Sequence, residues 1–128
     1  MMAGSALDQD TLGKLDETIE VEMITPRRDG SESRRPIWVV VTDGDAYVRS
    51  YRGESGAWYR RAREDGKATL GVDGETIEVR VEPATDHDTN RKVSAAFNAK
   101  YAERSPASTA TMVNDEVSRT TLRLATPG

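Results

Sequence analysis

The stretch Pro36-Ile37-Trp38-Val39-Val40-Val41-Thr42-Asp43-Gly44-Asp45-Ala46-Tyr47-Val48-Arg49-Ser50-Tyr51 decides the fold. Its first half is apolar on both faces, which predicts a central strand over 36–42. Asp43-Gly44 then reads as a two-residue turn, because both residue types tolerate the positive backbone angles that a tight hairpin requires. Residues 46–51 form the returning strand, with Tyr47, Arg49 and Tyr51 on one face and Ala46, Val48 and Ser50 on the other. The two strands are expected to be antiparallel neighbours.

Outward from this hairpin the pattern repeats. Residues 68–72 and 76–81 flank Asp73-Gly74, with Ile77, Val79 and Val81 on one face, and predict a second hairpin. Upstream, Thr18-Ile19-Glu20-Val21-Glu22-Met23-Ile24 alternates as a half-buried strand, preceded by a short helix over 7–15 and followed by a polar loop over 26–35. Between the hairpins, residues 57–65 read as a helix, with Ser55 as its N-cap and Gly66 as its stop. Downstream, Asp88 is expected to cap a longer helix with Val93, Ala96, Phe97, Lys100 and Tyr101 along one stripe, read as core or dimer contact. Residues 120–125 make a last strand.

Strands joined by hairpins, with a few short helices between them, predict a mainly β protein: a six-stranded antiparallel sheet closed or nearly closed into a small barrel. The expected organisation is one domain over 1–128, comprising an N-terminal helical segment at 1–17 and a barrel at 18–126 with helices near 57–65 and 88–104. Gly53-Glu54-Ser55-Gly56 lacks the spacing of a dinucleotide fingerprint.

Composition narrows the chemistry. The 128 residues include no cysteine and one histidine, which excludes thiolate metal sites, iron–sulfur clusters, cysteine nucleophiles and multi-histidine cages; no metal is expected. Asp86-His87-Asp88 reads as a loop at a helix start. Seven aromatic residues make a thin core for a monomer, so a homodimer is expected. No apolar run approaches the roughly 20 residues that cross a bilayer, and the N-terminus has no secretion signal, so the expectation is a cytoplasmic protein with no membrane partner.

The net charge of -4 argues against a nucleic-acid partner, but the charge is unevenly placed. Residues 27–63 hold nine arginines against five acids, a net +4, together with five of the seven aromatics. Fixed positive charge beside planar side chains suits a phosphorylated aromatic small molecule. The first candidate site is 49–61, where a strand end leads through a glycine-bearing loop into a helix whose N-terminus attracts anions. Here Ser55, Gly56 and the helix start are expected to take a phosphate, with Arg49 as the side-chain cation. Trp58 and Tyr59 cannot both face inward, so one is expected at a ligand edge or interface. The second candidate is 27–38, whose arginines open the apolar strand.

Arg35-Pro36-Ile37-Trp38, Asp43-Gly44-Asp45-Ala46-Tyr47-Val48, Gly56-Ala57-Trp58-Tyr59-Arg60-Arg61 and Asp73-Gly74-Glu75 resemble the FMN-binding split β-barrel superfamily, particularly its branch of deazaflavin-dependent nitroreductase-like proteins. Thr120-Thr121-Leu122-Arg123-Leu124 resembles a small uncharacterised family within it. The resemblance implies a homodimer with FMN or a deazaflavin coenzyme in a groove between subunits. It also implies cofactor contacts from Arg35, Trp38, Arg49, Ser50, Tyr51, Ser55, Gly56, Trp58 and Tyr59, with no catalytic residue assigned. The activity implied is hydride transfer to or from a small acceptor; the alternative is a non-catalytic ligand-binding or structural dimeric module.

Overall fold

In the computed structural model, which describes residues 5–127, both aspartate–glycine pairs turn the chain as their chemistry dictates. Asp43 and Gly44 have φ of 56° and 81°, and Asp73 and Gly74 have 50° and 82°. Positive φ at both central positions is the mirror-image turn that matches strand twist. The first pair joins β3 (Val40–Thr42) to β4 (Asp45–Val48), and the second joins β5 (Lys67–Val72) to β6 (Glu75–Pro83). A third hairpin joins β1 (Val21–Pro26) to β2 (Glu32–Ile37). Its turn is held by Asp29, whose carboxylate accepts from the Ser31 backbone N–H at 2.9 Å and from the Ser31 hydroxyl at 2.6 Å.

With β7 (Leu122–Ala125), these strands form one antiparallel sheet in the order β2-β1-β5-β6-β7-β4-β3. The described residues thus hold seven strands where six were expected. The extra strand is β2, which occupies most of the predicted polar loop; as an edge strand it buries only Ser33 and Ile37, so it shows no alternating apolar pattern. The predicted central strand 36–42 is in fact the end of β2, a bend at Trp38-Val39 and the whole of β3, and both strands lie at sheet edges. Pro36 fits there, since an edge strand has bonds to spare.

That bend fixes the shape. A flat seven-stranded sheet is about 29 Å across, whereas the three peptide steps from Ile37 to Val40 reach at most about 11 Å. The sheet must curl until the end of β2 stands within that reach of the start of β3. Inside the curl lie Met23, Leu70, Val79, Leu122 and Leu124, all at most 1% exposed, closed at one side by α1 (Gln9–Glu17) through Leu12 and Leu15 and by α2 (Ala57–Asp65) through Trp58, Tyr59 and Ala62. On the outer face a second cluster of Val40, Tyr47, Val93, Phe97, Tyr101, Met112 and Val117 seats α3 (His87–Tyr101), α4 (Pro106–Met112) and α5 (Asp115–Ser118).

Helix ends follow local chemistry, with two corrections. Asp86, rather than Asp88, caps α3 by accepting from the Thr89 N–H at 2.8 Å, and His87 is the exposed first residue of that helix. Ser55 does not cap α2: it ends a single 3-10 turn (Gly53–Ser55) and donates its hydroxyl to the Arg52 carbonyl at 3.0 Å, so Gly56 occupies the cap position without a side-chain bond. Gly66 stops α2 as expected, at a φ of 72°.

Candidate functional site

The seam at the bend between β2 and β3 is pinned by two adjacent side chains of α3. The Tyr101 hydroxyl donates to the Ile19 carbonyl at 2.6 Å and accepts from the Val39 N–H at 3.3 Å, while the Lys100 ammonium donates to the carbonyls of Val39 at 2.7 Å and Leu15 at 3.0 Å. Burial pushes the Tyr101 phenol up to about 12 and pulls Lys100 down. The Tyr101 ring also stacks on Trp38 at 4.0 Å between centroids and 3° between planes. Trp38 is thereby a fixed aromatic slab at the mouth of the seam.

Two adjoining hollows of about 230 Å³ each open beside it, sharing Pro36, Tyr51 and Trp58 as walls. Together they reach the size range of small-molecule sites. The inner hollow is bounded by Trp38, Arg49, Met112, Ser108 and Glu20, and the outer by Arg35, Ser50, Arg52, Gly56 and Ala57. Of the nine residues expected at a cofactor, seven stand around this groove: Arg35, Trp38, Arg49, Ser50, Tyr51, Gly56 and Trp58. Ser55 is exposed and bonded into its own turn, and Tyr59 is 3% exposed in the interior cluster, so neither borders it. Trp58 and Tyr59 are both buried, and it is Trp58 that keeps an edge on the groove.

The outer hollow has the chemistry of an anion cradle. Ser50 is held by its backbone on two sides, its N–H donating to the Thr120 hydroxyl at 2.8 Å and its carbonyl accepting from the Gly53 N–H at 2.9 Å. Its own hydroxyl is buried and has no hydrogen-bond partner. An orphaned buried hydroxyl costs about 1–3 kcal/mol unless something supplies the missing bond. Beside it, α2 begins without a side-chain cap, so its first-turn N–H groups and the positive end of its dipole face the same space. Gly56 is needed here for close approach rather than for backbone freedom, since its φ is an ordinary -60° and a Cβ would collide with Ser50 Oγ. Arg35 lies on the same face of β2 as Ser33 and Ile37 and, with Arg52, brings positive charge to the rim.

Arg49 is placed differently from the expectation. The alternation put it on the Tyr47 face, and that face is the one covered by helices. Its guanidinium spends all five N–H groups on protein: Nε on the Thr121 hydroxyl at 2.8 Å, Nη1 on the Ser94 hydroxyl at 2.9 Å and the Met112 carbonyl at 3.0 Å, and Nη2 on the carbonyl and side-chain oxygen of Asn90 at 3.1 and 3.2 Å. It is 1% exposed and has no donor left for a phosphate. Arg52 and Gly53 lie within the expected stretch 49–61, whereas sequence reasoning missed Ser108 and Met112 as groove elements; both come from α4, whose approach no local pattern announces.

Fold and groove together define a mainly β protein, a curled antiparallel half-barrel of seven strands with short helices. Residues 11–124 match the model of the family described as uncharacterized proteins conserved in bacteria (DUF2255), and the chain belongs to that family. No curated protein matches the sequence significantly. Among solved structures, a conserved hypothetical protein from Mycobacterium tuberculosis is similar at 15% identity and TM-score 0.69, over 100% of this chain and 86% of that one. The heme storage protein HutZ from Vibrio cholerae is similar at 10% identity and TM-score 0.68, over 96% and 92%. An F420-H2 dependent reductase is similar at 11% identity and TM-score 0.57, over 95% and 99%. At such identities the likeness is one of fold. Among the described residues no helix is long and apolar enough to cross a membrane.

Proposed function

We propose that the chain binds a phosphorylated, planar cofactor of the FMN or deazaflavin class in this groove and acts as an oxidoreductase on a small acceptor. The observation that carries the reading is the buried, unpartnered Ser50 hydroxyl beside the uncapped start of α2, a donor set matched to a phosphate. The residues present fit such a group. Ser50, the α2 N-terminus, Arg35 and Arg52 would hold the anionic tail, and Trp38, Trp58 and Tyr51 would flank a ring. When bound, a cofactor of this class supplies hydride-transfer chemistry. The protein's part is to orient it and exclude water, and the stacked Trp38–Tyr101 pair gives one wall that does not move.

The fold neighbour that is an F420-H2 dependent reductase supports this reading, and the heme storage neighbour supports the second one, a ligand-binding module without turnover. A homodimer is part of the proposal. Tyr51 at 55% and Ile19 at 39% are the exposed large hydrophobic residues among those described; Tyr51 borders the groove, and Ile19 precedes Glu20 on its wall. A second copy laid over them would close the open side.

The test is the visible spectrum of the purified protein followed by calorimetric titration with FMN and with a deazaflavin coenzyme. Binding of either is expected, and Ser50→Ala should weaken it about 10- to 150-fold, the worth of one hydrogen bond to a charged group. No heat with either at high micromolar concentration overturns the cofactor reading. Binding without hydride transfer to any acceptor moves the protein to the ligand-binding module.

A further inference from the structure

Arg49 is an unusual cation. Its five N–H groups are all satisfied, yet every acceptor is neutral: two hydroxyls, two backbone carbonyls and one amide oxygen. None of its contacts is a carboxylate, and its one further charge-sensitive contact is the Phe97 ring, 5.4 Å from the guanidinium carbon. Burying an ion without a counter-ion costs several kcal/mol, and neutral hydrogen bonds recover only part of that. Burial pulls the guanidinium down to about 10, which leaves it protonated at neutral pH. The same side chain lines the inner hollow together with Trp38 and Met112. Its charge is therefore felt in the groove, although it has no hydrogen bond to offer there. Glu20, the carboxylate on the groove wall, is exposed and makes no ion pair with it.

We propose that the ring end of the groove selects planar aromatic ligands that carry negative charge on the ring system itself, with Arg49 supplying the complementary charge through space. The inference rests on the groove being a ligand site and specifies what occupies its inner half. It is distinct from the phosphate cradle, which lies at the other end and uses hydrogen bonds. Because Arg49 acts through its field, it is a specificity-determining residue rather than a catalytic one. Its counter-ion in the folded protein is the ligand.

The test separates charge from hydrogen bonding and from the phosphate end. Two probes of nearly equal shape and no phosphate, 2-naphthoate and 2-naphthamide, are titrated into the full-length protein with calorimetric and tryptophan-fluorescence readout. The anion is expected to bind about tenfold tighter or better, a difference equal to about 1.4 kcal/mol. Ser94→Asp places a carboxylate beside Nη1 from the α3 side, outside the groove, and gives the guanidinium an internal partner without removing it. That variant should retain naphthamide affinity, lose the preference for naphthoate to within about twofold, and unfold at a higher temperature than the parent. Arg35→Gln should leave the preference intact. Equal binding of the two probes to the parent overturns the proposal. A preference that survives Ser94→Asp but disappears in Arg35→Gln also overturns it, by assigning the charge to the rim. Arg49→Gln, wherever it folds, should abolish the preference as well. Naphthoate selectivity in a protein that binds neither FMN nor a deazaflavin would remove the cofactor reading and keep this one; cofactor binding with no probe selectivity would do the reverse.

Discussion

β4 is covered on both sides, by Ala46 and Val48 facing the interior of the curl and by Tyr47, followed by Arg49, beneath α3 to α5, and the two sides are built on different principles. The interior cluster is aliphatic apart from Trp58 and Tyr59, and a single cation, Arg61 of α2, reaches it at the Thr25 hydroxyl. The outer side is threaded with polar contacts from Arg49, Lys100 and Tyr101 that reach distant backbone and side-chain oxygens. Apolar burial is non-directional and tolerates small shifts, whereas hydrogen bonds fix position. The interior therefore carries most of the stability, and the helix-covered side holds the groove in shape.

Core truncation should reveal the largest contrast. Leu122→Ala, at a side chain that is 0% exposed inside the curl, should cost about 2–5 kcal/mol in denaturant unfolding while leaving ligand affinity unchanged wherever the variant is folded. Tyr101→Phe should cost less, about 1–3 kcal/mol, because it keeps the ring and the Trp38 stack and deprives the Ile19 carbonyl and Val39 N–H of their partner. Unlike the leucine change, it should also weaken ligand binding. If Tyr101→Phe proved the more destabilising of the two, the division of labour would be wrong.

The same substitution has a pH signature. The Tyr101 phenol is raised by burial from 10.0 to about 12, so the fold favours its protonated form. Its contribution is whole below pH 10 and disappears as the pH rises through 12. Arg49 and Lys100 are bases pulled down by burial and act with the opposite sign. The difference in stability between the parent and Tyr101→Phe cancels them and should shrink over that alkaline range. Gly56→Ala should cost about 1–3 kcal/mol, from placing alanine at a cap position and crowding the buried Ser50 hydroxyl. Its effect on ligand binding should still approach that of Ser50→Ala, because the added methyl displaces the Ser50 hydroxyl. Unchanged titrations in Gly56→Ala would separate the cradle from the ligand.

Features written in two or three neighbouring residues were legible in the sequence. Asp43-Gly44 and Asp73-Gly74 can adopt the turn that they do adopt, and 57–65 is helical to the residue because Gly66 stops it. The bend at Trp38-Val39 was not legible, since an apolar run looks the same whether it continues straight or passes from one sheet edge to the other. Its cause lies at Tyr101 and Lys100, more than 60 positions away. The groove was legible in two pieces, because Ser50, Gly56 and Trp58 flank one strand-to-helix connection and Arg35 belongs to the arginine-bearing stretch 27–38. The role of Arg49 was not, because alternation tells which residues share a face but not what will cover it.

The place of β7 has a consequence for the order in which the molecule is made. It follows every other strand in the sequence, yet it lies between β6 and β4, pairing Val81 with Leu124 on one side and Val48 with Leu122 on the other. A nascent chain that has not reached Leu122 holds two separate ladders, β2-β1-β5-β6 and β4-β3, connected by covalent links and by the helices. Each ladder is made largely of hairpins that close locally, but they merge only when four late residues fill the gap between them. Up to that moment the facing edges of β6 and β4 are unpaired and open to strands from other chains. Ribosome-arrested chains that end before residue 122 should accordingly be sensitive to proteases and unfold in two uncoupled steps, while chains that extend past residue 125 should unfold in one.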